Sequence, residues 1–334
     1  MKSTFSLFDF LFFILILHFS CSEYKSQINE TEETQIPIIH NNSTYDVIFT
    51  ENIVYGYGLS HESINSENQS SMPLLLDSYI PNNLSENRPV LMLIHGGGLF
   101  GGSKQQAAIV NIANFFAERG WAVFSIDYRL KNDYGTVPNE WVDFSTNIDD
   151  GSIAKYYASY PAIRDAKAAL RWIIANKNSY NLNDQYITVG GGSAGAAISI
   201  GVSVSNLNDF KSEINLEDDL TLASTNLDED YEIKTILDFW GHSTLTKAHE
   251  LVYGLNHFDT SDPPIFITHG TNDTTVPFSE AIELRDIFSQ NQVPYIFYEL
   301  EDAGHGPWNF LYEDNRLEEL ALSFIISQQE LIIN

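Results

Sequence analysis

Between Tyr45 and Pro81 apolar and polar positions alternate, first in YDVIFTENIVYGYG and again in MPLLLDSYIP. Alternation of period two is the mark of a strand with one exposed face, so these segments read as an antiparallel edge. RPVLMLIH (88–95) is instead a near-continuous apolar run ending in glycines, as a strand covered on both faces would be. Beyond it strand-like and helix-like patterns take turns. KQQAAIVNIANFFAERG reads as a helix, WAVFSIDY as a strand and YPAIRDAKAALRWIIANK as a helix. In the last, Ile163, Ala166, Leu170, Ile173 and Ile174 share a face, and Pro161 suits a first helical turn. QYITVG, KTILDFW, PIFITHG and PYIFYEL follow as strands, with SAGAAISIGVSVS, SEAIELRDIFSQ and RLEELALSFIISQ as helices. The alternation predicts an α/β fold: a mostly parallel central sheet, antiparallel N-terminal edge strands and helices on both faces.

Two stretches break the rhythm. Residues 131–160 carry Trp141, Phe144, Tyr156 and Tyr157 among polar residues, and the aromatics favour a lid or pocket wall. Residues 206–231, with LEDDL and LDEDYE, read as a solvated surface excursion. Ahead of the alternating pattern, Phe10–Ser20 is an apolar run of signal-peptide length followed by small residues, with a cut expected near Glu23. The organisation expected is therefore a signal peptide at 1–22, a flexible polar N-terminus at 23–44 and one catalytic domain at 45–334, in a secreted protein not inserted in a membrane. Cys21 is the only cysteine, so no internal disulfide can form, and His18 and Phe19 make a poor lipobox for anchoring there. Sequons stand at Asn29, Asn41, Asn42, Asn68 and Asn83.

Charge narrows the partners. The 334 residues hold 45 acidic and 17 basic side chains, a formal net charge of −28. Such a surface repels nucleic acid and anionic headgroups and disfavours highly anionic ligands at long range.

The candidate chemistry centres on VGGGSAGAA, residues 189–197. Gly191-Gly192-Ser193-Ala194-Gly195 fits G-x-S-x-G where a strand gives way to a helix, a sharp turn that holds a serine hydroxyl clear of the sheet. An ordinary N-cap serine would give the same local string. Against that reading stands His95-Gly96-Gly97-Gly98 after the strand VLMLI. Bare glycines bring N–H donors close to a substrate oxygen, and the backbone N–H groups of Gly97, Gly98 and Ala194 would form an oxyanion hole. A phosphate-binding loop is excluded, because its Lys and Ser/Thr are missing at the required spacing.

A serine nucleophile needs a base, and the base an orienting acid. His305 lies in the Gly-flanked DAGHGPW between the last strand and the last helix; His242 and His257 are weaker candidates, and His269 better suits shaping a loop. Asp273, in HGTNDTTVP just past the strand PIFIT, completes the order Ser, Asp, His. Asp302 stands too near His305 in sequence and Asp238 falls inside a strand.

HGGG with a downstream GGS, then DYRL, GGSAG, HGTNDTTVP and GHG together resemble the α/β-hydrolase superfamily of esterases and lipases. Within it the chain is most similar to the branch related to hormone-sensitive lipase and the feruloyl and acetyl-xylan esterase-like (BD-FAE-like) enzymes. The resemblance spans about residues 70–330. It implies hydrolysis of small carboxylic esters through an acyl-enzyme, with no metal or cofactor. Three departures stand out: Gly192 where many relatives carry an acid, Ala196 where many carry a second glycine, and TTVP after Asp273. A serine peptidase or amidase of the same fold, and a binding protein on a hydrolase scaffold, are the competing readings. The HGGG glycines and the complete Ser, Asp, His set argue against each in turn.

Overall fold

In the computed structural model, residues 35–147 and 153–334 are described; the apolar N-terminal run, Cys21 and the Asn29 sequon lie outside them. Eight strands form the central sheet: β1 (Val47–His61), β2 (Gln69–Pro81), β3 (Arg88–Ile94), β4 (Ala122–Ile126), β5 (Leu182–Gly192), β6 (Thr235–Phe239), β7 (Ile265–Gly270) and β8 (Tyr295–Leu300). Their spatial order is β1-β2-β4-β3-β5-β6-β7-β8. Only β2 runs against its neighbours; every other adjacent pair beyond it is parallel. This is the α/β-hydrolase arrangement. Its consequence is positional: the segments leaving β3, β5, β6, β7 and β8 all emerge along one carboxyl edge.

The apolar runs explain the layering. Successive residues of a strand face opposite ways, so Val90, Met92 and Ile94 of β3 enter one core and Leu91 and Leu93 the other. Helices α1 (Ala107–Ala117) and α7 (Leu317–Gln329) cover the second face. Helices α3 (Ile153–Ala175), α4 (Ala194–Val204) and α5 (Thr244–Tyr253) cover the first, where α6 (Phe278–Gln290) joins α4 over β6 and β7. All five residues read as the buried face of α3 are buried. Among the described residues no helix is long and apolar enough to cross a membrane.

The structure departs from the sequence reading in four places. The compact unit begins at Ile36, not Tyr45: Ile38–Ile39 pairs in parallel with Ile332–Ile333, and Ile39 is fully buried. An apolar IPII quartet within the polar N-terminal stretch supplies that contact. Second, α3 starts at Ile153, which places Pro161 inside the helix, not in its first turn. Its ring packs against Gly135, where a Cβ would come within 2.6 Å of it. A proline there removes one intrahelical bond, and the aromatic packing of the preceding turns holds the helix regardless.

Those turns are the third departure. Residues 139–146 form helix α2 (Asn139–Thr146), and Trp141 is core, not pocket wall. Its Nε1 donates to Tyr156 O at 2.8 Å, and its ring meets Phe144, Tyr160 and Phe210. Fourth, the acidic stretch 206–231 is no solvated excursion. Phe210, Ile214 and Leu222 are buried. Three cations from one stripe of α3 pin its backbone: Arg164 donates to Lys211 O and Ile214 O, Lys167 to Asn206 O and Asp209 O, and Arg171 to Thr225 O. Burial pushes the Lys167 ammonium down to about 7. Glu217, Asp218, Asp228 and Asp230 mark the outer surface of a packed layer and Asp219 is buried within it, while the backbone carbonyls satisfy buried donors.

Candidate active site

β5 ends in Gly190-Gly191-Gly192 because nothing larger fits between its neighbours. A Cβ on Gly191 would lie 2.3 Å from Ile94 O, and one on Gly195 2.1 Å from the same oxygen. The chain then turns at Ser193 with φ 56° and ψ −121°. A non-glycine residue there carries strain of roughly 1–3 kcal/mol. Two backbone bonds hold it, from Ser193 N to Phe239 O at 2.9 Å and from Ala197 N to Ser193 O at 3.1 Å. The hydroxyl is thereby presented at the start of α4, where the helix dipole favours negative charge.

The loop after β8 brings His305 to it. His305 Nε2 lies 2.9 Å from Ser193 Oγ, and His305 Nδ1 lies 2.7 Å from Asp273 Oδ2. The imidazole is 24% exposed while the Asp273 carboxylate is fully covered. Asp273 is held by its own turn: its Oδ1 accepts from Thr275 N at 2.8 Å and Val276 N at 3.0 Å. His269 stands behind it, with Nε2 2.9 Å from Val276 O and 3.3 Å from Asp273 Oδ2. Burial keeps His269 below the ordinary imidazole range, so it is a neutral prop of the Asp273 turn. Of the three residues read as a set, all three meet. The alternatives do not: Asp302 faces Asn272, and His257 lies in a buried chain with His249, Glu213 and Asp209.

The glycine loop after β3 is anchored at both ends. At its start Tyr128 Oη donates to His95 O at 3.0 Å and the two rings stack at 4.4 Å. At its end Lys104 N donates to Asp127 Oδ1 at 2.7 Å, Ser125 Oγ donates to Lys104 O at 2.7 Å, and Lys104 Nζ reaches Asp127 and Asn52. Gly97 has φ 119°, and a Cβ on it would fall 2.0 Å from Gly101 O. Gly96 abuts the nucleophile turn directly, its would-be Cβ 3.3 Å from Ser193 Cβ. Among the described residues, no backbone bond outside helices and strands uses the N–H of Gly97, Gly98 or Ala194.

Lys155 and Trp308 escape sequence reading, and so do the surroundings of His242 and Asp238, which it weighed in other roles. Lys155 Nζ lies 3.5 Å from His242 Nε2 at the end of β6; burial, reinforced by the Lys155 charge, pushes that imidazole down to about 3. Asp238 is fully buried beneath α4 with Oδ1 accepting from Gly241 N, and burial raises its carboxyl to about 7. Trp308 packs against Gly192 itself. Two departures from the related sequences find reasons here. Gly192 leaves room for the Trp308 ring, and the Ala196 methyl is accommodated because Gly241 has no side chain to meet it. Among the described residues no three His, Cys, Asp or Glu side chains gather as a metal-holding group.

Known proteins share this framework. The model of the BD-FAE family matches residues 76–149 and 153–253, just over half of the chain. The probable carboxylic ester hydrolase LipM of Mycobacterium tuberculosis is 24% identical over 250 residues, which are 66% of this chain and 50% of that one. The chain spans about half the length of the curated relatives it first matches. Among solved structures, Thermogutta terrifontis esterase 2 phosphorylated by paraoxon superposes with a TM-score of 0.56 at 24% identity, over 81% of this chain and 94% of that one. A truncated carbohydrate esterase from gut microbiota does so with a TM-score of 0.56 at 20% identity, over 89% and 100%. At such identities the superpositions speak for the fold.

Proposed function

The chain belongs to the BD-FAE family, and from that premise we propose that it is a serine carboxylic-ester hydrolase acting on short acyl or aryl esters. Ser193 Oγ attacks the ester carbonyl while His305 Nε2 takes its proton. Asp273 Oδ2, bonded to Nδ1, fixes the imidazole's orientation and steadies the imidazolium. The oxyanion of the tetrahedral intermediate sits on the N–H groups of Gly97, Gly98 and Ala194. His305 then returns the proton to the departing alkoxide, leaving an acyl-Ser193, and water activated by the same imidazole releases the acid. A backbone donor of this kind contributes roughly 10²–10³ in turnover.

The observation that carries the proposal is the unbroken relay Ser193 Oγ, His305 Nε2, Nδ1, Asp273 Oδ2, at 2.9 and 2.7 Å, on a serine in a strained turn. Similarity to LipM supports the same chemistry, and the esterase structures support the fold that positions it. Ser193→Ala is expected to abolish hydrolysis of p-nitrophenyl acetate and labelling by a fluorophosphonate probe, with its unfolding midpoint little changed. Turnover equal to wild type in that variant sinks the proposal.

A further inference from the structure

Three segments distant in sequence meet beside the nucleophile: the end of β5 at Gly192, the end of β6 at Phe239 and Trp240, and the loop that follows His305. One side chain joins them. The Trp308 ring stands edge-on to Trp240 at 4.5 Å between centroids and tilted on Phe239 at 5.2 Å. Its benzo edge occupies the space in front of Gly192, where a Cβ would come 2.5 Å from Cζ2 and 2.8 Å from Cη2. Phe239 and Trp240 are both buried, so the ring rests on a firm floor. Trp308 N donates to Gly306 O at 2.9 Å, which carries that fixed position back along the short loop to His305.

We propose that Trp308 is a positioning residue of the hydrolytic site: seated in the space left by Gly192, its ring fixes the His305 loop against the turn that bears Ser193. The proposal rests on the reading of Ser193 and His305 as the reacting pair. Gly192 and Trp308 are then two halves of one device, since any side chain at 192 displaces the ring and moves the imidazole it anchors. A displacement near 1 Å in a reacting geometry can cost about 10²-fold in rate. The effect falls on proton transfer and not on substrate capture, so it belongs in kcat with KM little altered.

A double-mutant cycle tests this on the full chain, with p-nitrophenyl acetate kinetics, the pH dependence of kcat/KM and thermal unfolding measured in parallel. Gly192→Ala is expected to lower kcat by about tenfold or more with KM within about twofold and a shifted pH profile. Trp308→Leu is expected to lower kcat by a similar factor. The double variant should be no slower than Trp308→Leu alone, because the added methyl then meets no ring. If Trp308→Leu does not fold, Trp308→Phe takes its place, alone and with Gly192→Ala, and should relieve the glycine substitution in the same sense. Multiplying losses in the double variant, or a wild-type kcat in Gly192→Ala, overturns the positioning role while leaving the hydrolase reading intact. An inactive wild-type chain overturns the hydrolase reading and the positioning role with it.

Discussion

Asp238 shows what one side chain sets aside from the relay can decide. It lies on the strand next to Ser193, wholly enclosed, with Oδ1 satisfied by Gly241 N and Oδ2 without a partner among the described residues. Enclosure raises its carboxyl from an ordinary value near 3.8 to about 7. Below the ordinary value the acid is protonated whether the chain is folded or unfolded, and it contributes no penalty. Between there and about 7 the unfolded chain ionises it and the folded chain resists, so stability falls as pH rises through that window and levels off above it. Each unit of difference corresponds to about 1.4 kcal/mol, so the loss across the window is a few kcal/mol. Asp238→Asn removes the titration and keeps the acceptor for Gly241 N. Urea unfolding at several pH values should show the variant's stability, relative to wild type, climbing between pH 4 and 7; parallel curves would refute the assignment. At this scale the relay residues were legible because each sits beside a glycine or a strand end that a local pattern marks. Asp238 was legible as a strand residue but not as a titrating one, since its covering comes from α4 and the Gly241 turn. Trp308 was not legible at all: its partner Gly192 is local to another motif, and only the fold brings them together.

Among the elements, α3 makes the most of its sequence. One face carries the apolar stripe that fits the sheet, and the neighbouring stripe of Asp165, Arg164, Lys167 and Arg171 is buried too. Asp165 receives Arg129 from the segment leaving β4, through Nε at 2.9 Å and Nη2 at 2.6 Å, and also the Arg129 N–H at 2.9 Å. Arg129 in turn donates to Leu59 O, so one ion pair ties α3, β1 and the segment that holds the glycine loop. Removing one partner of a buried pair leaves the other charge uncompensated, at a cost of roughly 3–5 kcal/mol. Asp165→Ala should lose that much in denaturant unfolding, with the midpoint moving and the slope kept; a loss under about 1 kcal/mol would show the pair to be dispensable. Such charges explain where sequence reading of the elements fell short. Period and turn residues located the cores of all eight sheet strands and most helices, because apolar spacing survives into the fold. Helix α5 went unread, although Leu245 and Ala248 lie one turn apart and Gly254 closes it in the left-handed region. The stretch 206–231 was misjudged because its acidic side chains speak for its outer surface, while the backbone carbonyls that pack on α3 leave no trace in composition.

The whole molecule carries a net charge of −28, and its effect on catalysis is separable from anything at the site. Long-range repulsion acts on the approach of a charged substrate and vanishes when ions screen it: the Debye length shrinks from about 30 Å at 0.01 M salt to about 3 Å at 1 M. A neutral ester feels none of this, so the ratio of kcat/KM for an anionic ester to that for a neutral one isolates the field. With p-nitrophenyl hemisuccinate against p-nitrophenyl acetate, that ratio should be smallest at low salt and rise severalfold as salt is added. Lys155, held against His242 at the carboxyl edge, is the local feature that opposes the trend. Its attraction acts at contact distance, where added salt screens little, so it would raise the ratio at every salt concentration without changing the slope. Lys155→Met should therefore lower the ratio by a constant factor while the rise with salt persists. A ratio flat in salt would mean that the acidic side chains are too far from the entrance to matter, and a slope that disappears with Lys155 would move the whole electrostatic effect from the surface to that one ammonium.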